Sequence, residues 1–306
     1  MIAPSSQSPR LTVCLSFDFD AMSAWLAGPT ITNPAAISRG EFGAVAIPRI
    51  LDLLRQYEAQ ATFFVPGHTA LAYPHLVRAI RDAGHEIGHH GWVHENPQTL
   101  EPEQEAVAFI KGFEALAAVA DVRPVGYRAP GAAFSAHTVG LLVEHGMQYD
   151  STCSGNDFNC YYLRQGDVAS SSEPYVFGEC TEVVEIPFSW ILDDFPHFEF
   201  ADGWSPTQAP ASAVREIWQG EFDYAYRHCY GGVFSLCMHP QVIGRGHRLT
   251  MLDAFLAYIS SHDGVAFRSA AEYASTWKQD HPLTPNSEQP AAHTSPRTDR
   301  VSQGAP

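Results

Sequence analysis

The chain has 306 residues, enough for one large domain with a substantial core, and 45% of them are hydrophobic, as in an ordinary globular protein. Thirty-four acidic residues against 18 basic ones leave a formal net charge of −16. A surface that negative repels phosphate backbones and anionic membranes, which argues against a nucleic-acid or membrane-surface partner.

Residues 1–10 are rich in Pro and Ser and are expected to be flexible. The first apolar run, from Leu11, is too short for a signal-peptide core, and no run approaches the ~20 residues that span a bilayer. Six cysteines without Cys-x-x-Cys spacing read as buried thiols of a reducing compartment, so a cytoplasmic chain is expected.

A strand is predicted over 11–19. A helix follows over 44–57, with Val45, Ile50, Leu53 and Leu54 on one face, then a strand over 61–65. Further helices are expected over 73–83, 101–120 and 135–145, with short strands over 85–88, 125–128 and 147–150 between and after them. A polar, Tyr-rich insertion (151–182) precedes a strand over 183–189. A helix over 211–230, a strand over 233–238, a last helix over 249–260 and a strand near 265–268 complete the pattern. From 278 onward the chain is too polar to offset its ordering entropy and reads as a disordered tail. Strands alternating with helices imply parallel strands and right-handed crossovers. About seven such units over 11–277 predict an α/β single domain, a distorted (β/α) barrel. No Gly-x-Gly-x-x-Gly follows the first strand, which weakens a dinucleotide-binding reading.

Unusual polar residues fall at the strand ends: Asp18 and Asp20, His90 and His94, Arg128, Asp150, Trp190 and His239. In a (β/α) barrel such positions converge on the C-terminal rim, where these barrels keep their active sites. Asp18 and Asp20 alternate to one side of an extended chain, and two carboxylates that close favour a cation between them. They are also compatible with simple loop capping. His-x-x-x-His in HHGWVH lacks the zincin glutamate, because Gly91 stands there, and glycines argue against a helix. A turn can still bring two imidazoles and a carboxylate to one hydrolytic zinc or non-haem iron.

The ordered set SFDFD, HHGWVH, GYRAPG, YDST and FSLCMHP resembles the polysaccharide deacetylase family over roughly 11–277. The family carries Phe-Asp-Asp, His-(Ser/Thr)-x-x-His, Arg-x-Pro, Asp-containing and Leu-x-His elements. Here Phe19 separates the two aspartates, and Gly91 replaces Ser or Thr. With IPFSWILDDFPHF and HPQVIGRGHR, the chain looks like the cytoplasmic peptidoglycan-deacetylase-like branch, which is related to allantoinase-like and cyclic-imide-hydrolysing enzymes.

The resemblance implies one divalent metal, zinc first with cobalt, manganese or iron as alternatives, on Asp20, His90 and His94. Asp18 would be the general base, held by Arg128, although the inserted Phe19 leaves the two aspartates exchangeable. His239 would protonate the leaving nitrogen, tuned by Asp150 or Asp157. Trp190 and Asp193, beside Asp194, could line a substrate pocket or be a packing and capping cluster; His247, between Arg245 and Arg248, could meet a substrate carboxylate or be solvated.

The expected activity is metal-dependent hydrolysis of a non-peptide C–N bond in a small linear or cyclic amide. An N-acetyl sugar or peptidoglycan is the alternative substrate. A non-haem iron oxygenase and a non-catalytic binding module are remoter readings. A homo-oligomer is compatible with the sequence.

Overall fold

In chain order the structure runs β1 (Leu11–Asp18), α1 (Ser23–Leu26), α2 (Pro34–Gln56), β2 (Ala61–Val65), α3 (Gly67–Ala72), α4 (Pro74–Asp82) and β3 (Glu86–His89). Next come α5 (Pro102–Ala120), β4 (Gly126–Tyr127), α6 (Thr138–Glu144), β5 (Tyr149–Asp150), β6 (Tyr161–Gln165) and β7 (Glu179–Glu185). The chain continues through α7 (Asp194–Phe198), α8 (Ala211–His228), β8 (Gly232–Met238), α9 (Pro240–Ile243), α10 (Gly246–Ser260), β9 (Val265–Phe267) and α11 (Ala270–Asp280). This computed structural model describes residues 9–27, 29–200 and 208–283. The first eight residues, and the expected tail from 284 on, lie outside the described residues.

Every residue of β1 is buried, as its nearly unbroken apolar run requires of a strand covered on both faces. Along one edge β1 pairs in parallel with β8; along the other it pairs with β9 near its start and β2 near its end. The described sheet has nine strands and curls in the order β6-β7-β5-β4-β3-β2-β1-β8, matching the expected (β/α) barrel. One isolated parallel bridge, Asp193 to Cys237, ties the segment after β7 to β8 and so links the far sides of the curl. Helices α2, α4, α8 and α10 bury Ile47, Ile50, Leu54, Val77, Ile80, Trp218, Phe222, Phe255 and Ile259 against the sheet, all in one core cluster.

Four expectations needed correction. First, α2 begins at Pro34, ten residues early, with Asn33 accepting the Ala35 and Ala36 amides as N-cap. Its inward face carries Ala46 and Ile47, while Val45 is half exposed. Gly40, Gly43 and Pro48 obscured the apolar period, yet Gly40 is needed: a Cβ there would meet the Ala21 carbonyl oxygen at 2.2 Å. Second, the polar, Tyr-rich insertion, for which no strand was expected, contains β6, which pairs antiparallel with β7; β7 itself lies at 179–185, four residues before the expected strand. Third, the sheet has nine strands where about seven β/α units were expected: the strand expected near 265–268 is present as the short β9, and the unforeseen member is β6. Fourth, the chain past 268 forms α11, capped by Ser269, so ordered structure runs beyond the expected boundary at 277.

All six cysteines are free, and Cys14, Cys160 and Cys237 are buried. Among the described residues no helix is long and apolar enough to cross a membrane.

Candidate active site

The ends of β1, β3, β4 and β8 deliver the site. Asp18 is the last residue of β1; Asp20 lies two further on, where Gly40 lets α2 approach the backbone and Thr69 Oγ1 bonds the Asp20 carbonyl (2.5 Å). Both carboxylates are almost fully buried.

After β3 the chain turns sharply. Gly91 has φ +68°, and a Cβ there would meet Glu95 Oε1 at 2.7 Å, which explains a glycine where the family pattern has Ser or Thr. Glu95 closes the turn by accepting the Trp92 and Val93 amides at 2.8 and 2.6 Å. His94 itself sits at φ +61°, an uncommon conformation for a residue with a Cβ. The turn places the His90 and His94 rings 5.2 Å apart.

His90 Nδ1 lies 2.7 Å from the Arg128 carbonyl, which can only accept, so Nδ1 carries the hydrogen. The lone pair on Nε2 then faces Asp20 Oδ1 at 3.4 Å and Asp18 Oδ2 at 3.8 Å. His94 Nε2 stands 3.9 Å from Asp20 Oδ2. Asp20 Oδ1 and His90 Nε2 are buried without a hydrogen-bond partner. Buried acceptors of this kind are costly unless something binds them, and two imidazoles with a carboxylate are a donor set suited to a divalent cation. Asp20, His90 and His94 thus fit a metal.

Arg128, at the end of β4, is buried and fully committed. Its Nη1 donates to Asp18 Oδ1 (2.8 Å) and Ser16 Oγ (2.8 Å), its Nε to the Ser151 carbonyl (2.8 Å), and its Nη2 to Ser151 Oγ (2.8 Å). This leaves Asp18 Oδ2 facing the cluster. Burial, the largest influence on Asp18, pushes its pKa up, but Arg128, His90 and His239 outweigh it and hold the carboxyl below the usual range. At Asp20 burial is likewise outweighed, by His94, His90 and His239, and the value falls to about 2.

His239 follows β8, with Nε2 3.8 Å from Asp20 Oδ2 and 4.0 Å from Asp18 Oδ2. Its Nδ1 is 2.7 Å from Asp194 Oδ1 and 3.6 Å from Asp193 Oδ1. Burial lowers the His239 pKa, but Asp193 and Asp194 overcome it and raise the imidazole well above its ordinary value.

The structure corrects several expected neighbours. The carboxylate on His239 is Asp194, brought there by the bridge between Asp193 and Cys237. Asp150 instead meets Thr152 and Glu185, because β5 pairs with β7. Asp157 is exposed and accepts the Phe158 amide. Asp193 is buried and caps α7 through the Phe195 amide, rather than lining an open pocket. Trp190 is 42% exposed, edge-on to Phe188 at 4.9 Å. His247 is exposed in the first turn of α10, on a groove shared with Arg215 and Asp223 of α8. Sequence reasoning also missed Ser16, Ser151 and Gln241, whose Nε2 lies 3.4 Å from Asp20 Oδ2. The alternating polar residues of LSFD and the pair in DST were the available signals.

The fold and the site together define a known class. The polysaccharide deacetylase family profile matches residues 37–149. The chain is 36% identical over 288 residues to a peptidoglycan deacetylase of Helicobacter pylori, covering 89% of this chain and 98% of that one. It is 30% identical over 274 residues to the peptidoglycan deacetylase-like protein FGM2 of Gibberella zeae, covering 82% and 81%. A solved structure from Mycobacterium smegmatis, classed with the polysaccharide deacetylases, superposes with a TM-score of 0.80 at 33% identity over 93% of this chain and 96% of that one. The fold of Puue allantoinase is also shared, with a TM-score of 0.75 at 22% identity over 92% and 94%. The chain belongs to the polysaccharide deacetylase family, whose members hydrolyse amide C–N bonds with a divalent metal.

Proposed function

We propose that this chain hydrolyses the C–N bond of a small linear or cyclic amide, using a divalent cation held by Asp20, His90 and His94. Zinc suits two imidazoles and a carboxylate best, with cobalt, manganese or iron as substitutes. When bound, such an ion acidifies water and polarises the amide carbonyl.

The chain's own residues divide the proton work. Asp20 faces both histidines, whereas Asp18 is tied to Arg128 through Oδ1. This supports Asp20 as ligand and Asp18 as base. Asp18 Oδ2 takes a proton from the attacking water, while Arg128, fixed by Ser16 and Ser151, keeps that carboxylate ionised and aimed. His239 holds its Nδ1 hydrogen toward Asp194 and gives the proton on Nε2 to the departing nitrogen. Water's oxygen bonds to the carbonyl carbon, the C–N bond breaks, and nitrogen leaves protonated.

The substrate class rests on one observation: the cluster is recessed. Asp18, Asp20, His90 and His239 are all at most 7% exposed, and His94 is the open side. A recess favours a ligand that can be engulfed over a polymer lying across a groove. A second reading, removal of acetyl from an N-acetyl sugar, is favoured by the relatives named peptidoglycan deacetylase and peptidoglycan deacetylase-like protein. Comparing kcat/KM for a small cyclic imide and an N-acetylglucosamine oligomer with the zinc-loaded protein decides between them. Preference for the imide is expected; preference for the oligomer selects the second reading.

A further inference from the structure

We propose that Asp150 and Glu185 share a single proton, and that this acid–carboxylate pair sets the 151–152 turn that positions Arg128. The two residues are register partners at the ends of β5 and β7, and both are fully buried. Asp150 Oδ1 accepts the Thr152 hydroxyl at 3.0 Å. Glu185 Oε1 accepts the Thr152 and Cys153 amides, each at 2.8 Å. Each side chain keeps one buried oxygen, Asp150 Oδ2 and Glu185 Oε2, with no donor in reach. The carboxyl groups lie close enough to hydrogen-bond to each other, which two ionised carboxylates cannot do. One proton supplies the missing donor and removes the repulsion of two buried like charges.

The surroundings offer no substitute. The nearest cation, Arg128 just after β4, spends its guanidinium on Asp18, Ser16 and Ser151. The other titratable groups facing the pair are Tyr127 of β4, Cys153 beyond β5, and Cys160 and Tyr161 at the start of β6, all neutral when protonated. Burial raises the Asp150 carboxyl from 3.8 to about 6 and, with Asp150 alongside, lifts Glu185 well above the ordinary range.

From the pair a short chain leads to the site. Thr152 Oγ1 also accepts the Ala129 amide at 2.9 Å, and Ser151 provides two acceptors for Arg128. The pair therefore acts through Arg128 on the aim of Asp18. This positioning role rests on the function proposed above; the shared proton does not.

The test uses the full-length protein. Infrared difference spectra at neutral pH should show a buried protonated carboxyl that is lost in both Asp150→Asn and Glu185→Gln. Thermal unfolding gives a second readout. A raised carboxyl stabilises the fold at low pH, and that contribution is lost as pH rises through about 6 and above. Asp150→Asn should lack this loss, because its amide donates to Glu185 permanently. Turnover should survive in Asp150→Asn but fall roughly 10²-fold in Asp150→Ala, in kcat and not in KM, with metal content unchanged.

No protonated carboxyl, or a second metal ion per chain held with Cys153, whose Sγ lies within 4.8 Å of the ligand oxygens, overturns the shared proton. Normal turnover in Asp150→Ala overturns the positioning role. Absence of hydrolysis by the wild type would count against the proposed function while leaving the spectra and unfolding curves decisive for the pair.

Discussion

Asp194 grips His239 at two points: its Oδ1 lies 2.7 Å from the ring Nδ1, and the His239 backbone N–H donates to both carboxylate oxygens at 3.0 and 3.1 Å. Side chain and main chain are thus fixed by one group, which sets both the tautomer and the direction of Nε2. Asp194→Ala should therefore lower kcat on the order of 10²-fold, the scale of a lost acid–base contribution. The carboxylates keep His239 protonated to higher pH, so the variant should lose activity at lower pH than the wild type. The alkaline limb of kcat/KM against pH measures this, and an unmoved limb would reject His239 as the acid.

Asp18→Asn should retain metal while turnover falls on the order of 10²–10⁴-fold, because the base is gone but the ligand set is intact. Asp20→Asn should lose metal on dialysis. Metal content by elemental analysis, set beside kcat, reads the difference. The opposite pattern would exchange the two roles.

His90→Ala and His94→Ala each remove one of three protein ligands, so both should lose metal and turnover. A chelator should do the same to the wild type, with activity restored by added zinc. Full occupancy in both variants would remove the histidines from the metal site.

Gly40→Ala probes the contact between α2 and the loop carrying Asp20. Its Cβ would press on the Ala21 carbonyl, costing about 1–3 kcal/mol as overpacking does. A lower melting temperature together with weaker metal affinity is expected. Lower stability with unchanged affinity would show that the loop yields without moving Asp20.

How much of this was legible beforehand follows from where each interaction is encoded. Strands such as 61–65 and 233–238 announce themselves because burial on both faces leaves a short apolar run between turns. Asp18, Asp20, His90, His94, Arg128 and His239 could be gathered because a barrel sends every strand end to one rim. The partner of His239 could not, since Asp194 arrives through a single bridge between segments that no local pattern relates. Asp150 sits at a strand end just as the site residues do, yet the pairing of β5 with β7 turns it toward Glu185. Helix α2 was cut short because Gly40 and Gly43 serve close packing, and close packing looks like helix breaking in a sequence.

The bridge between Asp193 and Cys237 also divides the cluster by distance along the chain. Asp20, His90 and His94 all lie within the first third of the chain, in the turns that follow β1 and β3, two strands joined through β2. Their contacts close shorter loops than the contact of His239 with Asp20 does, and shorter loops cost less chain entropy to close. His239 and Asp194 reach them only after β8 has docked beside β1 and the segment beyond β7 has crossed to meet it. The two halves of the proposed site thus differ in what they require of the chain: the proposed ligands need only β1 to β3 in place, whereas the proposed acid needs β8 and the segment beyond β7 brought together as well.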